Sequence, residues 1–153
     1  MSLILATGTN LGSKLDNLQE AKSLLSEKFD FIAESRIYTS AAVDYESQPD
    51  FFNQVLEFKT PTSMKPIEVM RTILDLEYLV GRRRDIPKGP RVIDIDILFF
   101  DLQSSSDTDV LLPHPRLFER SFVVMPLMEL PFYQVLKDHY IFPTTFTNSA
   151  RPI

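Results

Sequence analysis

The stretch Val92-Ile93-Asp94-Ile95-Asp96-Ile97-Leu98-Phe99-Phe100 reads as a β-strand, and its reading decides the fold. Side chains of a strand alternate faces with period two. Ile93, Ile95, Ile97 and Phe99 point one way; Asp94 and Asp96 point the other, with Leu98 and Phe100 further along the acidic face. Aspartate is a poor strand former. Two of them set among isoleucines break local propensity, a hint of function. At ~3.3 Å rise per residue the two carboxylates lie about 7 Å apart at Cα. That spacing lets both reach one cation or a pair of cations, and Mg²⁺ favours one or two carboxylates completed by phosphate and water. Taken alone, an amphipathic strand with a solvated acidic face fits equally well.

The residues just before this strand change the balance. Arg82, Arg83, Arg84, Lys88 and Arg91 fall within ten residues, opposed there only by Asp85. Guanidinium groups stay charged and bind phosphate bidentately. Acid for a metal beside base for phosphates is what phosphoryl transfer requires. No Walker loop is present, since Gly-x4-Gly-Lys-Ser/Thr does not occur.

Further outward, Leu3 to Gly8 reads as a buried strand and Lys14 to Glu27 as a helix, with Ser13 a plausible N-cap. Phe31 to Tyr38 and Phe51 to Lys59 read as two more strands. A helix follows Thr60-Pro61-Thr62-Ser63, with Ile67, Met70, Ile73, Leu74 and Glu77 on one face, and stops near Gly81. Beyond the acidic strand come a short helix after Pro115, another over Phe122 to Leu130, and an irregular tail from Pro131. The order β-α-β-β-α-β is the ferredoxin-like pattern. It predicts an α+β fold: an antiparallel sheet with the two long helices packed on one face and a helical C-terminal extension. All four glycines fall in the two loops assigned to the site, 8–13 and 81–90.

Composition sets the outer limits. The chain has 153 residues, 44% hydrophobic and 24% charged, which fits one globular domain over 1–153. With no cysteine it has no disulfide framework, thiolate metal site or cysteine nucleophile, and the cytoplasm is the default compartment. No apolar run reaches the ~20 residues of a membrane span. A net charge of −5 argues against a nucleic-acid coat protein but not against nucleotide binding. His114 is held between Pro113 and Pro115, which fix its backbone. Asn53 carries an amide able to read donor and acceptor edges of a heterocycle, and Phe51 and Phe122 could sandwich a planar ring. Each of these is also an ordinary turn or core residue.

Together the segments resemble one family, 6-hydroxymethyl-7,8-dihydropterin pyrophosphokinase, an enzyme of folate biosynthesis. The resemblance is carried by Gly8-Thr9-Asn10-Leu11-Gly12, Gln48-Pro49-Asp50-Phe51-Phe52-Asn53, Glu77 through Arg82, Gly89 through Leu98, and Leu112-Pro113-His114-Pro115-Arg116, running on to Arg120, Phe122 and Pro126-Leu127. It implies transfer of diphosphate from ATP to the pterin hydroxymethyl group, with AMP leaving. It implies two Mg²⁺ ions between Asp94, Asp96 and the triphosphate, and phosphate contacts from Arg82, Arg91 and, as the 81–90 loop closes as a lid, Arg84. Glu77, His114 and Arg120 would lie on the nucleotide side. Phe51 and Phe122 would stack on the pterin, Asn53 would hydrogen-bond it, and backbone at Ser40, Ala41 and Val43 would read its edge. The expected partners are small molecules, with no nucleic acid or membrane, and the chain is expected to act as a complete monomer. Phe51 stands where the family often has Tyr, and Ser40-Ala41-Ala42 where it often has Thr-Pro-Pro.

Two rivals remain at this point. Polymerase palms and cyclases also set paired carboxylates on such a sheet, without the Pro-His-Pro segment or pterin-side aromatics. A non-catalytic binding module needs no mid-strand aspartates opposite an arginine loop. An RNA-binding version would present strand aromatics, where this strand presents acid.

Overall fold

The computed structural model describes residues 1–42, 47–83 and 89–153. In chain order its elements are β1 (Ser2–Thr9), α1 (Lys14–Lys28), β2 (Phe31–Glu34), β3 (Tyr38–Ser40), β4 (Phe51–Lys59), α2 (Pro66–Val80), β5 (Asp94–Phe100), a 3₁₀ turn (Leu117–Glu119), α3 (Ser121–Leu127), α4 (Tyr133–Leu136) and β6 (Ala150–Pro152). They form one antiparallel sheet ordered β5-β1-β4-β3-β6, with β2 also paired to β4.

Period-two alternation gives the sheet two apolar faces. On one, Leu3 and Leu5 of β1, Leu56 and Phe58 of β4, and Ile95 and Ile97 of β5 meet Leu18 and Leu25 of α1 and Val69, Ile73 and Leu76 of α2. On the other, Ile4, Val55, Leu98 and Phe99 meet Leu117, Val123, Leu127 and Leu136. Each such fully buried side chain contributes about 1.5–3 kcal/mol of apolar burial. The two long helices thus share a face, and the short C-terminal helices cover the opposite one. Among the described residues no helix is long and apolar enough to cross a membrane.

The structure departs from the sequence reading in several places. The strand expected over 31–38 is two strands, because Ser35 interrupts it. Its hydroxyl accepts from Val55 N at 3.0 Å and donates to Arg36 O at 2.7 Å, replacing ladder bonds with side-chain ones. Phe99 lies on the face opposite Ile93, Ile95 and Ile97, and Phe100 joins theirs. The cause is a bulge: Leu5 pairs with Ile97 and Ile4 with Phe99, so Leu98 is the extra residue that swaps the alternation. Gly8 lies within β1 rather than in a loop. The buried face of α2 is Val69, Ile73, Leu76 and Glu77, while Leu74 is exposed. The helix begins at Pro66, where Glu68 accepts from Lys65 N at 3.0 Å, rather than on a Thr62 or Ser63 cap. It ends as expected at Gly81, whose φ of 119° suits glycine alone. The tail is not wholly irregular: its last residues form β6, paired to β3.

Candidate active site

Sheet register brings the predicted groups into line. Asp94 of β5 pairs with Gly8 of β1, Gly8 with Asn53 of β4, and Asn53 with Tyr38 of β3. In the next row inward, Asp96 pairs with Ala6, and Ala6 with Val55. Adjacent strands are ~4.8 Å apart, so Asp94 and Asn53 stand about 10 Å from each other. Between them β1 presents only hydrogen and methyl. A Cβ on Gly8 would meet Asn53 Oδ1 at 3.4 Å and Phe51 Cδ1 at 3.7 Å. The small residues therefore form the floor of a cleft of about 240 Å³.

That cleft is lined by Ser40, Ala41, Phe51, Asn53, Arg91, Asp94, Asp96, His114, Arg120 and Phe122, all drawn from the sequence reading. Arg84 and Val43 lie outside the described residues, as does half of the expected lid, residues 84–88. Glu77 and Arg82 stand behind the cleft. Arg82 Nη1 donates to Asp94 Oδ1 at 2.7 Å and to Glu77 Oε2 at 2.8 Å. The same Glu77 oxygen accepts from Ile95 N at 2.8 Å, and only 3% of Glu77 is exposed. Glu77 therefore ties the end of α2 to the start of β5. Burial works against the charge of Arg82, but Asp94 and Glu77 outweigh it and hold its pKa above the ordinary value.

The electrostatics of the acidic pair are unequal. Burial, and then the charge of Asp94, push the Asp96 carboxyl up to about 7. Although 34% of its side chain is open to the cleft, protein surrounds the carboxyl closely enough to disfavour its charge. Burial, and then the charge of Arg120, lower His114 to about 4. Its Nε2 stands 4.0 Å from Asp96 Oδ1, but a neutral imidazole makes that a polar contact and not an ion pair. Nδ1 accepts from Arg116 N at 3.3 Å, which assigns the ring proton to Nε2, facing Asp96. The His114 backbone N donates to Leu98 O at 3.1 Å, fastening the Pro-His-Pro segment to the outer edge of β5.

On the opposite side Asn53 is buried, its Nδ2 donating to Ser40 Oγ at 2.8 Å. Both aromatic walls lie under arginines: Arg91 is 4.9 Å from the Phe51 ring centre and Arg120 is 5.8 Å from that of Phe122. Nε of Arg120 is buried without a hydrogen-bond partner among the described residues.

Sequence reasoning gave no role to Asn10, which is 3% exposed. Its Oδ1 accepts from Arg91 N at 2.9 Å and its backbone N donates to Arg91 O at 3.1 Å. Its Nδ2 donates to Gln48 Oε1 at 2.8 Å and Pro49 O at 3.0 Å. One amide thus fixes Arg91 and the segment leading to Phe51. A polar residue between Gly8 and Gly12 was the available signal.

The model of the 7,8-dihydro-6-hydroxymethylpterin-pyrophosphokinase family matches residues 4–131. This chain belongs to that family. The matched residues include every cleft residue named above. A Bacillus subtilis 2-amino-4-hydroxy-6-hydroxymethyldihydropteridine pyrophosphokinase is 36% identical over 128 residues, covering 82% of this chain and 75% of that protein. A folic acid synthesis protein of Pneumocystis carinii is 33% identical over 130 residues, and one of Dictyostelium discoideum 32% over 147. Those matches cover 84% and 96% of this chain but only 17% and 21% of the two proteins, so the chain spans about a fifth of these longer relatives.

Proposed function

We propose that this chain transfers diphosphate from ATP to the hydroxymethyl group of 6-hydroxymethyl-7,8-dihydropterin, releasing AMP, as a step of folate biosynthesis. The acceptor oxygen attacks the β-phosphorus, the bond from that phosphorus to the oxygen bridging it to the α-phosphorus breaks, and the hydroxyl proton is lost to solvent. The observation that carries this is the row Asp94–Gly8–Asn53: a carboxylate end and an amide-and-aromatic end about two strand spacings apart, over a floor of Gly8 and Ala6. A bicyclic ring seated on Asn53 between Phe51 and Phe122 directs its substituent toward the aspartates. Such a site works by positioning and by neutralising charge.

Asp94 and Asp96 are the donors suited to Mg²⁺, taken here as two ions, because a hard cation bound with substrate phosphates needs few protein carboxylates. When bound, these ions supply charge neutralisation and polarisation of phosphoryl oxygens. Arg82, released from Asp94, can turn to phosphate while Glu77 anchors it. Arg91 and Arg84 add charge on the same side. Arg120, whose Nε has no hydrogen-bond partner among the described residues, and His114, with Nε2–H toward the cleft, fit a nucleotide phosphate or ribose. Backbone at Ser40, Ala41 and Val43 would read the pterin edge. In this reading residues 1–153 are one ferredoxin-like βαββαβ domain with a helical C-terminal extension. It acts as a monomer in the cytoplasm on small molecules, and needs neither nucleic acid nor membrane.

The test is one incubation of the protein with ATP, MgCl₂ and 6-hydroxymethyl-7,8-dihydropterin. AMP formed in step with pterin diphosphate, and stopped by EDTA, is the expected result. ADP or free pyrophosphate in place of AMP and pterin diphosphate would sink the reading and favour a nucleotidyl enzyme.

A further inference from the structure

The family match ends at residue 131, yet the last residues of the chain reach both walls of the cleft. On one wall β6 extends the sheet: Ser40 pairs with Ala150, Thr39 with Arg151 and Tyr38 with Pro152. Ile153 N then donates to Ile37 O at 3.0 Å. On the other wall the side chain of Asn148 grips the segment between the 3₁₀ turn and α3. Its Oδ1 accepts from Ser121 N at 2.8 Å and from Ser121 Oγ at 2.6 Å, and its Nδ2 donates to Glu119 O at 2.8 Å.

Ser121 is 1% exposed and sits between Arg120 and Phe122. Asn148 therefore holds the backbone on both sides of Arg120 and satisfies a first-turn N–H of α3 from 27 residues away. A single residue, Ser149, separates Asn148 from the β6 pairing at Ala150. Asn148, β6 and β3 thus make a continuous strap joining the wall of Ser40 and Ala41 to the wall of Arg120 and Phe122.

We infer that Asn148 is a positioning residue: it sets Arg120 and Phe122 against the β3 wall and so fixes the width of the ring-binding end of the cleft. This rests on the pyrophosphokinase reading. Asn148 is not among the residues that line the cleft. Its effect falls on substrate affinity, because the aspartates and Arg91 are held independently by β1, Asn10 and Glu77.

The test compares Asn148→Ala, Asn148→Asp and Ser121→Ala. Asn148→Ala should raise KM for the dihydropterin about tenfold, the scale of losing hydrogen bonds that hold a binding wall, with kcat within about twofold. Asn148→Asp keeps the acceptor for Ser121 and should recover most of that loss. Ser121→Ala removes one bond and should give an intermediate KM; it is the deciding variant should Asn148→Ala fail to fold. An unchanged KM in a folded Asn148→Ala or Ser121→Ala, or a fall only in the active fraction, overturns the inference. A second readout is hydrogen exchange at the Ser121 amide, expected to be protected in wild type and Asn148→Asp and fast in Asn148→Ala. Equal protection in all three also overturns it. Absence of AMP with wild-type protein would count against the functional reading, and amide exchange then decides the strap alone.

Discussion

Replacing Glu77 with alanine should be among the most damaging single changes in the chain. The residue is 3% exposed, and its carboxylate accepts from both Arg82 Nη1 and Ile95 N at 2.8 Å. Removing it leaves a guanidinium with a 13% exposed side chain short of one anion, and a buried strand N–H without its acceptor. Breaking a buried ion pair from one side costs about 3–5 kcal/mol. An orphaned N–H costs ~1–3 kcal/mol, and the two losses overlap because they share an oxygen. About 4 kcal/mol is expected, which for a domain of this size lowers Tm by roughly 8–16 °C. Glu77→Gln keeps the shape and one acceptor and should lose about half as much. Glu77→Leu with Arg82→Met should recover part of the loss, since apolar replacement of both partners is often tolerated. Recovery stays partial because Ile95 N remains unpaired. Thermal melts and denaturant midpoints measure all three. A Tm drop under ~3 °C for Glu77→Ala would refute the argument that this carboxylate fastens α2 to β5.

Asp96→Asn should abolish AMP formation while leaving the fold intact. Because the folded state favours the neutral acid up to about 7, above its ordinary 3.8, metal-free wild type should lose stability as pH rises from about 4 to 7. The variant should lack that slope and melt higher at pH 8 in EDTA; a lower melting point there would contradict the unequal pair. For His114 the sign is opposite. Its folded pKa of about 4 lies below the ordinary 6.5, so its contribution is full above 6.5 and disappears as pH falls toward 4. His114→Gln should flatten the melting curve against pH in that window, and an unaltered slope would mean the imidazole is not buried neutral. Asn10→Ala should lower kcat/KM about tenfold or more by loosening Arg91 and the segment before Phe51, read by steady-state kinetics. A kcat/KM within twofold of wild type would show that the backbone alone holds Arg91.

Most of the sheet was legible because alternation is a local signal. Asp94 and Asp96 stand out against isoleucine, and β1, β4 and both long helices follow from spacing. What escaped is set by partners far along the chain. The break at Ser35 depends on Val55 N donating to a hydroxyl in place of a backbone carbonyl. The bulge at Leu98 depends on register with β1, and no residue type announces it. β6 is three residues long, includes a proline, and is paired to β3, more than a hundred residues earlier in the chain. The site was legible as residue types but not as geometry: Arg82 and Glu77 read as ligand contacts, and the structure has them bonded to each other, with Arg82 bonded to Asp94 as well. Asn148, in a tail without pattern, offered no local signal.

The position of β5 at the rim of the sheet has a consequence for solubility. Rim strands expose unpaired backbone groups to other chains, and Ile-Leu-Phe-Phe is the kind of segment that zips onto a copy of itself. Two features counter this. The His114 segment caps Leu98 O on the open side, and Asp94 and Asp96 interrupt what would otherwise be eight apolar residues in a row, counted from Ile93. The aspartates are therefore gatekeepers as well as candidate metal donors. A variant neutral at both positions should aggregate faster during refolding than either single variant, even where its folded form is no less stable.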